Sequence, residues 1–349
     1  MAAGPLTQVS SNNTYIRDHA ASGKMKVEFS RNWKKFAVNN YIQIRKVSKQ
    51  TGYYLVVDAL QAGRIVGGNI DDYVWPDGTP RPEYNNEGIE FNFKDYKTVR
   101  RNFGHRQGNL ALEQADWDVK GTQEAALCQK AMTARTQLVR AALNTSGNWD
   151  STHFQTVTAI AGGLWSAALS TTPFIKKSIN YAVNIITKDT MGVVEKEDMC
   201  LVLSPTVAIA MSETQEIIDH IKQSPDAYGQ LVQQTGKWSQ YGLPNSIYGV
   251  PVFVDKTMMV TSQRNAASVT KDYVYGANEA YLISRPGALE SETGSGPSFS
   301  TITMFAKEEM TVEREVDARN RRTLTDVVDD ISVEMTAPAA GFAFRSVLS

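Results

Sequence analysis

The chain has 349 residues, 42% of them hydrophobic, and its Lys+Arg 36 nearly balance Asp+Glu 37. That length points to two subdomains, and a formal net charge of -1 excludes a dedicated nucleic-acid or anionic-membrane binder. Cys128 and Cys200, the only cysteines, read as reduced, buried hydrophobes, and no run approaches the ~18 apolar residues of a membrane span, so a soluble, cytosolically made protein is expected.

Residues 1 to about 23 are small and polar and predict a flexible arm. From Lys24 to Ser48 the apolar residues Phe29, Trp33, Phe36, Val38, Tyr41, Ile42 and Ile44 are scattered among basic ones, a segment expected to dock as it goes. Residues 53–110 predict a long hairpin. "YYLVVDAL" is rich in strand formers, and "GIEFNFKDY" alternates Ile89, Phe91 and Phe93 with Glu90, Asn92 and Lys94. The connection between them is full of Gly, Pro, Asp and Asn, is too long for a tight turn, and carries Tyr73, Trp75 and Tyr84. A two-stranded ribbon is marginal alone, so a second subunit is expected to complete its packing.

Thr122 to Leu143 is the longest uninterrupted helix signal. Leu127, Ala131, Ala134, Leu138 and Ala142 form one apolar stripe and Ala125, Met132, Val139 and Leu143 a second, which predicts two packing partners. Thr122 is expected to cap its start, with Gln129, Lys130, Thr133, Gln137 and Arg140 on the wet side. Next come a cap-and-proline helix start at Thr172 and Pro173, an amphipathic helix through Ile175, Ile179, Val183 and Ile186, and a buried strand, "DMCLVLSP". A second such start follows at Ser204 and Pro205, its helix breaking near Met211 and Ser212, and "IYGVPVFVDK" adds a strand whose Pro251 argues for a sheet edge or bulge. This alternation predicts an α/β layer over about 155–290. The last part, "FSTITMFAKEEMTVEREVDARNRRTLTDVVDDISVEM", reads as antiparallel strands with one wet face.

Catalytic and metal motifs are not found. The histidines at 19, 105, 153 and 220 are widely separated, and there is no HExxH, CxxC, G-x-S-x-G or phosphate-binding loop. The "EKED" run at 195–198 and the pair Asp329 and Asp330 read as solvated carboxylates, and Cys128 as packing rather than a nucleophile. No catalytic residue, cofactor or metal ligand is assigned.

The order of parts resembles the major capsid proteins of tailed bacteriophages. "MCLVLSPTVAIAM" followed by "YGLPNSIYGVPVFVDKTM", and the ending "VEREVDARNRRTLTDVVDDISVEMTAPAAGFAF", are similar to segments of that family. The resemblance implies an α+β fold of the Hong-Kong-97 type. Its parts would be an N-arm (1–45), an extended loop (46–110), a P domain with a spine helix (111–154), an α/β A domain (155–300), and return strands of the P domain with a C-terminal strand (301–349). It implies a structural protein that self-assembles into pentamers and hexamers of an icosahedral head around double-stranded DNA, contacted non-specifically. Partners would be further copies of the chain and scaffolding, portal and decoration proteins. Assembly would take place in the host cytoplasm, the product would be the virion, and no membrane would be involved. Expected inter-subunit contacts are Tyr73, Trp75, Arg81, Tyr84, Phe91 and Phe93 in the loop, with Leu127, Met132, Leu138 and Val139 packing the spine. The competing readings are an encapsulin-like nanocompartment shell and, from another class, an enzyme with a non-local site in the α/β domain.

Overall fold

The computed structural model describes residues 32–57, 76–80, 91–115, 118–223, 241–263, 266–285 and 300–348. In chain order run α1 (Val38–Tyr41), β1 (Gln43–Lys46), β2 (Thr51–Val57), β3 (Phe91–Lys97), β4 (Val99–Gly108), α2 (Asn109–Glu113), α3 (Val119–Asn144), β5 (Phe154–Thr156), α4 (Val157–Ala161) and α5 (Phe174–Asp189). Then come β6 (Met199–Leu203), α6 (Pro205–Ser212), α7 (Gln215–Gln223), β7 (Ser246–Ile247), β8 (Val250–Val254), β9 (Met258–Val260) and β10 (Lys271–Tyr273). The last strands are β11 (Glu279–Ser284), β12 (Ile302–Asp317), β13 (Arg322–Met335) and β14 (Gly341–Arg345).

The long helix α3 spans 26 residues, roughly 39 Å at about 1.5 Å per residue. It starts before Thr122. Asp118 is the N-cap, its carboxylate accepting the Gly121 N–H at 2.9 Å, while the Thr122 hydroxyl donates to the Asp118 carbonyl at 2.8 Å. A Cβ at Gly121 would collide with the Asp118 carboxylate, so the glycine makes room for the cap. Asp118→Ala is expected to cost about 1 kcal/mol in urea unfolding, and Thr122→Ala less.

The wide sheet has the order β5-β14-β11-β6-β8-β7, parallel at β5/β14 and β6/β8 and antiparallel elsewhere. Both its faces are covered, which explains the unbroken apolar run of β6. Met199, Leu201 and Leu203 join Leu282, Phe342 and Phe344 under α5 and α6, while Cys200 and Val202 join Tyr281 and Ile283 beneath α3 and the segment Phe36–Ile42. That segment does dock, burying Phe36, Val38, Tyr41 and Ile42. The Tyr41 hydroxyl donates to Asp255 at 2.8 Å and lies 2.9 Å from the Tyr275 hydroxyl. Pro251 sits opposite Ser246 of the edge strand β7, outside the β6 pairing.

The two cap-and-proline starts differ. Ser204 caps α6, accepting the Val207 N–H at 3.2 Å, with Pro205 at the first turn. Helix α5 begins after Pro173 with no cap from its own sequence neighbours. Instead the buried Glu216 carboxylate of α7 accepts the Ile175 and Lys176 N–H groups at 3.0 and 2.8 Å, placing an anion on the positive helix end.

A narrower arm sheet has the order β1-β12-β13-β4. β1 runs parallel to the start of β12, and β13 lies antiparallel between β12 and β4. β4 therefore belongs to this sheet, and the expected hairpin over 53–110 reduces to the separate pair β2 and β3. The physical reason is Thr98, whose N–H donates to the Gln50 carbonyl at 2.8 Å and closes the ribbon where the chain crosses into the sheet. β12 and β13 have the expected wet surface only distally. Their proximal halves are buried on both faces.

Candidate assembly surfaces

The ribbon β2/β3 pairs Leu55 with Phe93 and Tyr53 with Asp95, so these share one face, and Gly52, Tyr54, Lys94 and Tyr96 share the other. The second face is anchored. Tyr54 and Tyr96 stack on Phe305 of β12 at 5.5 and 4.4 Å between centroids, and the Gln50 amide donates to Asp330 at 3.1 Å. Gly52 lets the Tyr96 ring lie across it, since a Cβ there would strike that ring. The first face is bare: Tyr53 is 77% exposed, Phe93 64% and Leu55 47%. Three large apolar side chains are thus held out together on the solvent side of a seated ribbon.

Of the loop residues expected at contacts, Tyr73, Trp75, Arg81 and Tyr84 lie outside the described residues, and only the strand position of Phe91 is described. Pro76–Pro80 form an exposed turn in which the Thr79 hydroxyl donates to the Pro76 carbonyl at 2.7 Å and Gly78 has a φ of 82°.

The α3 residues expected to pack the spine sort along its length. Leu127 packs with Cys128, Ala131, Phe103 and Val327 against the arm sheet. Met132 and Val139 are fully buried toward the wide sheet, and Leu138 is partly buried beside them. The two partners thus lie end to end on one broad face rather than on two stripes. The reason is Arg135 and Thr136, polar residues in the middle of the buried face. The Arg135 guanidinium donates from Nε and Nη2 to Asp329 at 2.8 and 2.6 Å, and its Nη1 reaches Glu309 at 3.4 Å. Asp329 Oδ1 also accepts the Met310 N–H at 3.3 Å, within a bulge where the β12/β13 register slips and Met310 has a φ of 43°. One ion pair therefore fixes helix, strand and bulge together.

Asp329 and Asp330 are accordingly not a solvated pair: both are buried, the first held by Arg135 and the second by Gln50. The "EKED" run is a capped helical turn in which Glu195 and Asp198 serve each other's backbone. Sequence reasoning also missed a second clamp at the far end of α3. Glu279 Oε1 accepts from Arg140 at 2.7 Å and from the Gly276 N–H at 2.7 Å, and Oε2 from Arg345 and the Tyr281 hydroxyl at 3.1 Å each. Burial alone would push the Glu279 pKa up. The Arg140 hydrogen bond, the Gly276 N–H, the Arg140 charge and the Tyr281 hydroxyl outweigh it and hold the carboxyl below its ordinary value. Its stabilisation is fully present above the unfolded-state value of about 4.3 and is lost as pH falls through the depressed folded one. Glu279→Gln is expected to cost about 2–3 kcal/mol at neutral pH and to flatten the fall in urea midpoint below about pH 4.3.

Among the described residues no three His, Cys, Asp or Glu side chains converge on a metal position, and no helix is long and apolar enough to cross a membrane. Both cysteines are free and buried; burial and Glu124 push the Cys128 thiol up, and burial pushes Cys200 further. Buried His153 engages the Gly341 carbonyl at 2.6 Å and Asp189 at 2.7 Å, His220 lies against Tyr248, and His105 is exposed. His19 lies outside the described residues. A groove of about 720 Å³ between α3 and β9 is open and lined by Ala126, Thr133, Met258 and Val260.

Comparison with solved structures finds the same arrangement of elements elsewhere. The capsid of cyanophage P-SCSP1u aligns at a TM-score of 0.58, with 11% identity, over 97% of this chain and 97% of that one. The chain has the phage capsid fold. A phage-related protein from Bordetella bronchiseptica RB50 aligns at a TM-score of 0.57 with 14% identity, covering 89% of this chain and 91% of its own. The mature capsid of bacteriophage PhiM1 aligns at 0.52 with 12% identity, covering 92% and 89%. No protein-family model and no curated protein matches the sequence, so the likeness is one of fold.

Proposed function

We propose that the chain is a structural shell subunit of a phage head, acting by self-assembly and without catalysis. The observation that carries this reading is the extent of the likeness, which runs through 97% of both chains when the cyanophage capsid is superposed. Residues 1–45 serve as the N-arm, 46–110 as the extended loop, 111–154 and 301–349 as the P domain with its returning and C-terminal strands, and 155–300 as the A domain. The bare ribbon face with Tyr53, Leu55 and Phe93 supports a contact completed by a neighbouring copy, with Tyr73, Trp75, Arg81 and Tyr84 extending it. Arg135 and Glu279 support the same reading from the other side. They stiffen α3 against both sheets, so that distances between contact points are fixed before assembly.

Subunits of this kind form pentamers and hexamers of an icosahedral shell around double-stranded DNA, with scaffolding, portal and decoration proteins as partners, in the host cytoplasm and then the virion. Negative-stain microscopy of the protein, produced with the proteins encoded beside it, is expected to show closed icosahedral particles. Persistent monomers or dimers would refute the shell reading, and particles that carry protein cargo and no DNA would replace the phage head by an encapsulin-like compartment.

A further inference from the structure

We infer that the two open edges of the arm sheet form an oppositely charged pair of contact surfaces, and that each is occupied by the opposite edge of a second copy of this chain. The inference rests on the shell reading and adds to it the direction in which copies join.

The first edge is β4, which among the described residues borders only β13. From Val99 to Gly108 it carries Arg100, Arg101, His105 and Arg106 and no carboxylate. The second edge is the distal part of β12, because β1 covers that strand only over Thr303–Ala306. From Lys307 to Asp317 it carries Glu308, Glu309, Glu313, Glu315 and Asp317 against Lys307 and Arg314.

Part of this charge is spent within the subunit. Arg100 crosses β13 to Glu308 at 3.1 Å, Glu309 faces Arg135 at 3.4 Å, Asp317 holds Arg322 at 2.8 Å, and Arg314 pairs with Glu124 on α3. Arg101 turns onto the Val99 and Ile331 carbonyls at 3.1 and 3.3 Å, which leaves Arg106 beside His105 on β4 and Glu313 and Glu315 on β12. All four are exposed and make no ion pair among the described residues. The turn carrying Arg319 and Arg321 lies at the sheet's far end, between the two edges.

Charged strand edges often only keep sheets apart. Here the two edges carry opposite net charge, so β4 repels β4 and β12 repels β12, whereas β4 attracts β12 of another copy. The permitted contact is therefore heterologous, and a heterologous contact with a suitable rotation closes into a ring. The exposed Val99, Val312 and Val316 supply further contact once the edges meet.

The test is a charge exchange in the full chain. His105→Glu with Arg106→Glu reverses one edge, and Glu313→Lys with Glu315→Lys reverses the other. Each pair alone is expected to lower the yield of closed particles about tenfold or more, and all four together to restore it, because the edges are again opposite. Circular dichroism and urea midpoints of the unassembled subunit should stay at their wild-type values. Normal particle yield from either two-site variant, or a folded four-site variant that fails to assemble, would overturn the inference. Wild-type assembly gives a readout free of mutation: raising salt from about 0.05 to about 0.5 M should slow it, and a salt-independent rate would equally overturn the pairing. A wild-type chain that never assembles is a separate result and removes the shell reading together with this one.

Discussion

Arg135→Ala is expected to unfold the subunit more readily than any surface change, at a cost of about 3–5 kcal/mol, because it leaves Asp329 as an unpaired buried charge. Asp329 is enclosed between α3 and the β12 bulge, and its remaining donor would be the Met310 N–H. Asp329→Ala should do similar damage from the other side, stranding the buried guanidinium. Replacing both residues together by apolar ones of similar size, Arg135→Met with Asp329→Leu, should recover most of the loss, since the desolvation of two charges disappears with their attraction. Urea unfolding of the unassembled subunit decides the matter, and a loss below about 1 kcal/mol for Arg135→Ala would mean that the pair is a bystander.

Leu55→Asp with Phe93→Asp is expected to have the opposite profile. These positions face each other across the ribbon and away from its seat on Phe305, so the subunit should keep its urea midpoint to within about 0.5 kcal/mol. Particle formation should nevertheless fail, since two carboxylates would be buried unpaired at every copy of the contact. Phe305→Ala provides the contrast: it removes the surface on which Tyr54 and Tyr96 stack and should disturb the subunit itself. Normal particles from the Leu55 and Phe93 variant would show that the ribbon's bare face is not a contact.

Where periodicity and local punctuation govern, the sequence reads well. The ribbon strands, the helix over Thr122 to Leu143, the buried run of β6, the Ser204 cap and the break after Ser212 all follow from neighbours a few residues apart. What escapes is whatever is decided at long range. The role of Arg135 shows only when Asp329, 194 positions away, is placed against it, and the same separation hides the meaning of the acidic pair. Pro173 looks like an ordinary helix start because the group that satisfies the helix end, Glu216, belongs to α7. The small size of Gly121 matters only once Asp118 is known as the cap. The apolar ribbon face is legible from Phe91 and Phe93. The clamp at Glu279 is not, since its two arginines come from α3 and β14.

Strand β14 also sets a clock. It lies inside the wide sheet between β5 and β11, although β5 and β6 precede it by a long stretch of chain. A ribosome-bound chain therefore holds an incomplete sheet, with Phe342 and Phe344 missing from its core, until residue 345 has emerged. The two halves of the fold cannot lock before then, and Arg345, which reaches Glu279 beside Arg140, arrives with the same strand. Contact surfaces on a flexible half-formed chain would capture neighbours in wrong geometries. Making the rigid state wait for β14 ties it to the strand of the wide sheet made last, so the connectivity itself would place folding ahead of the assembly proposed above.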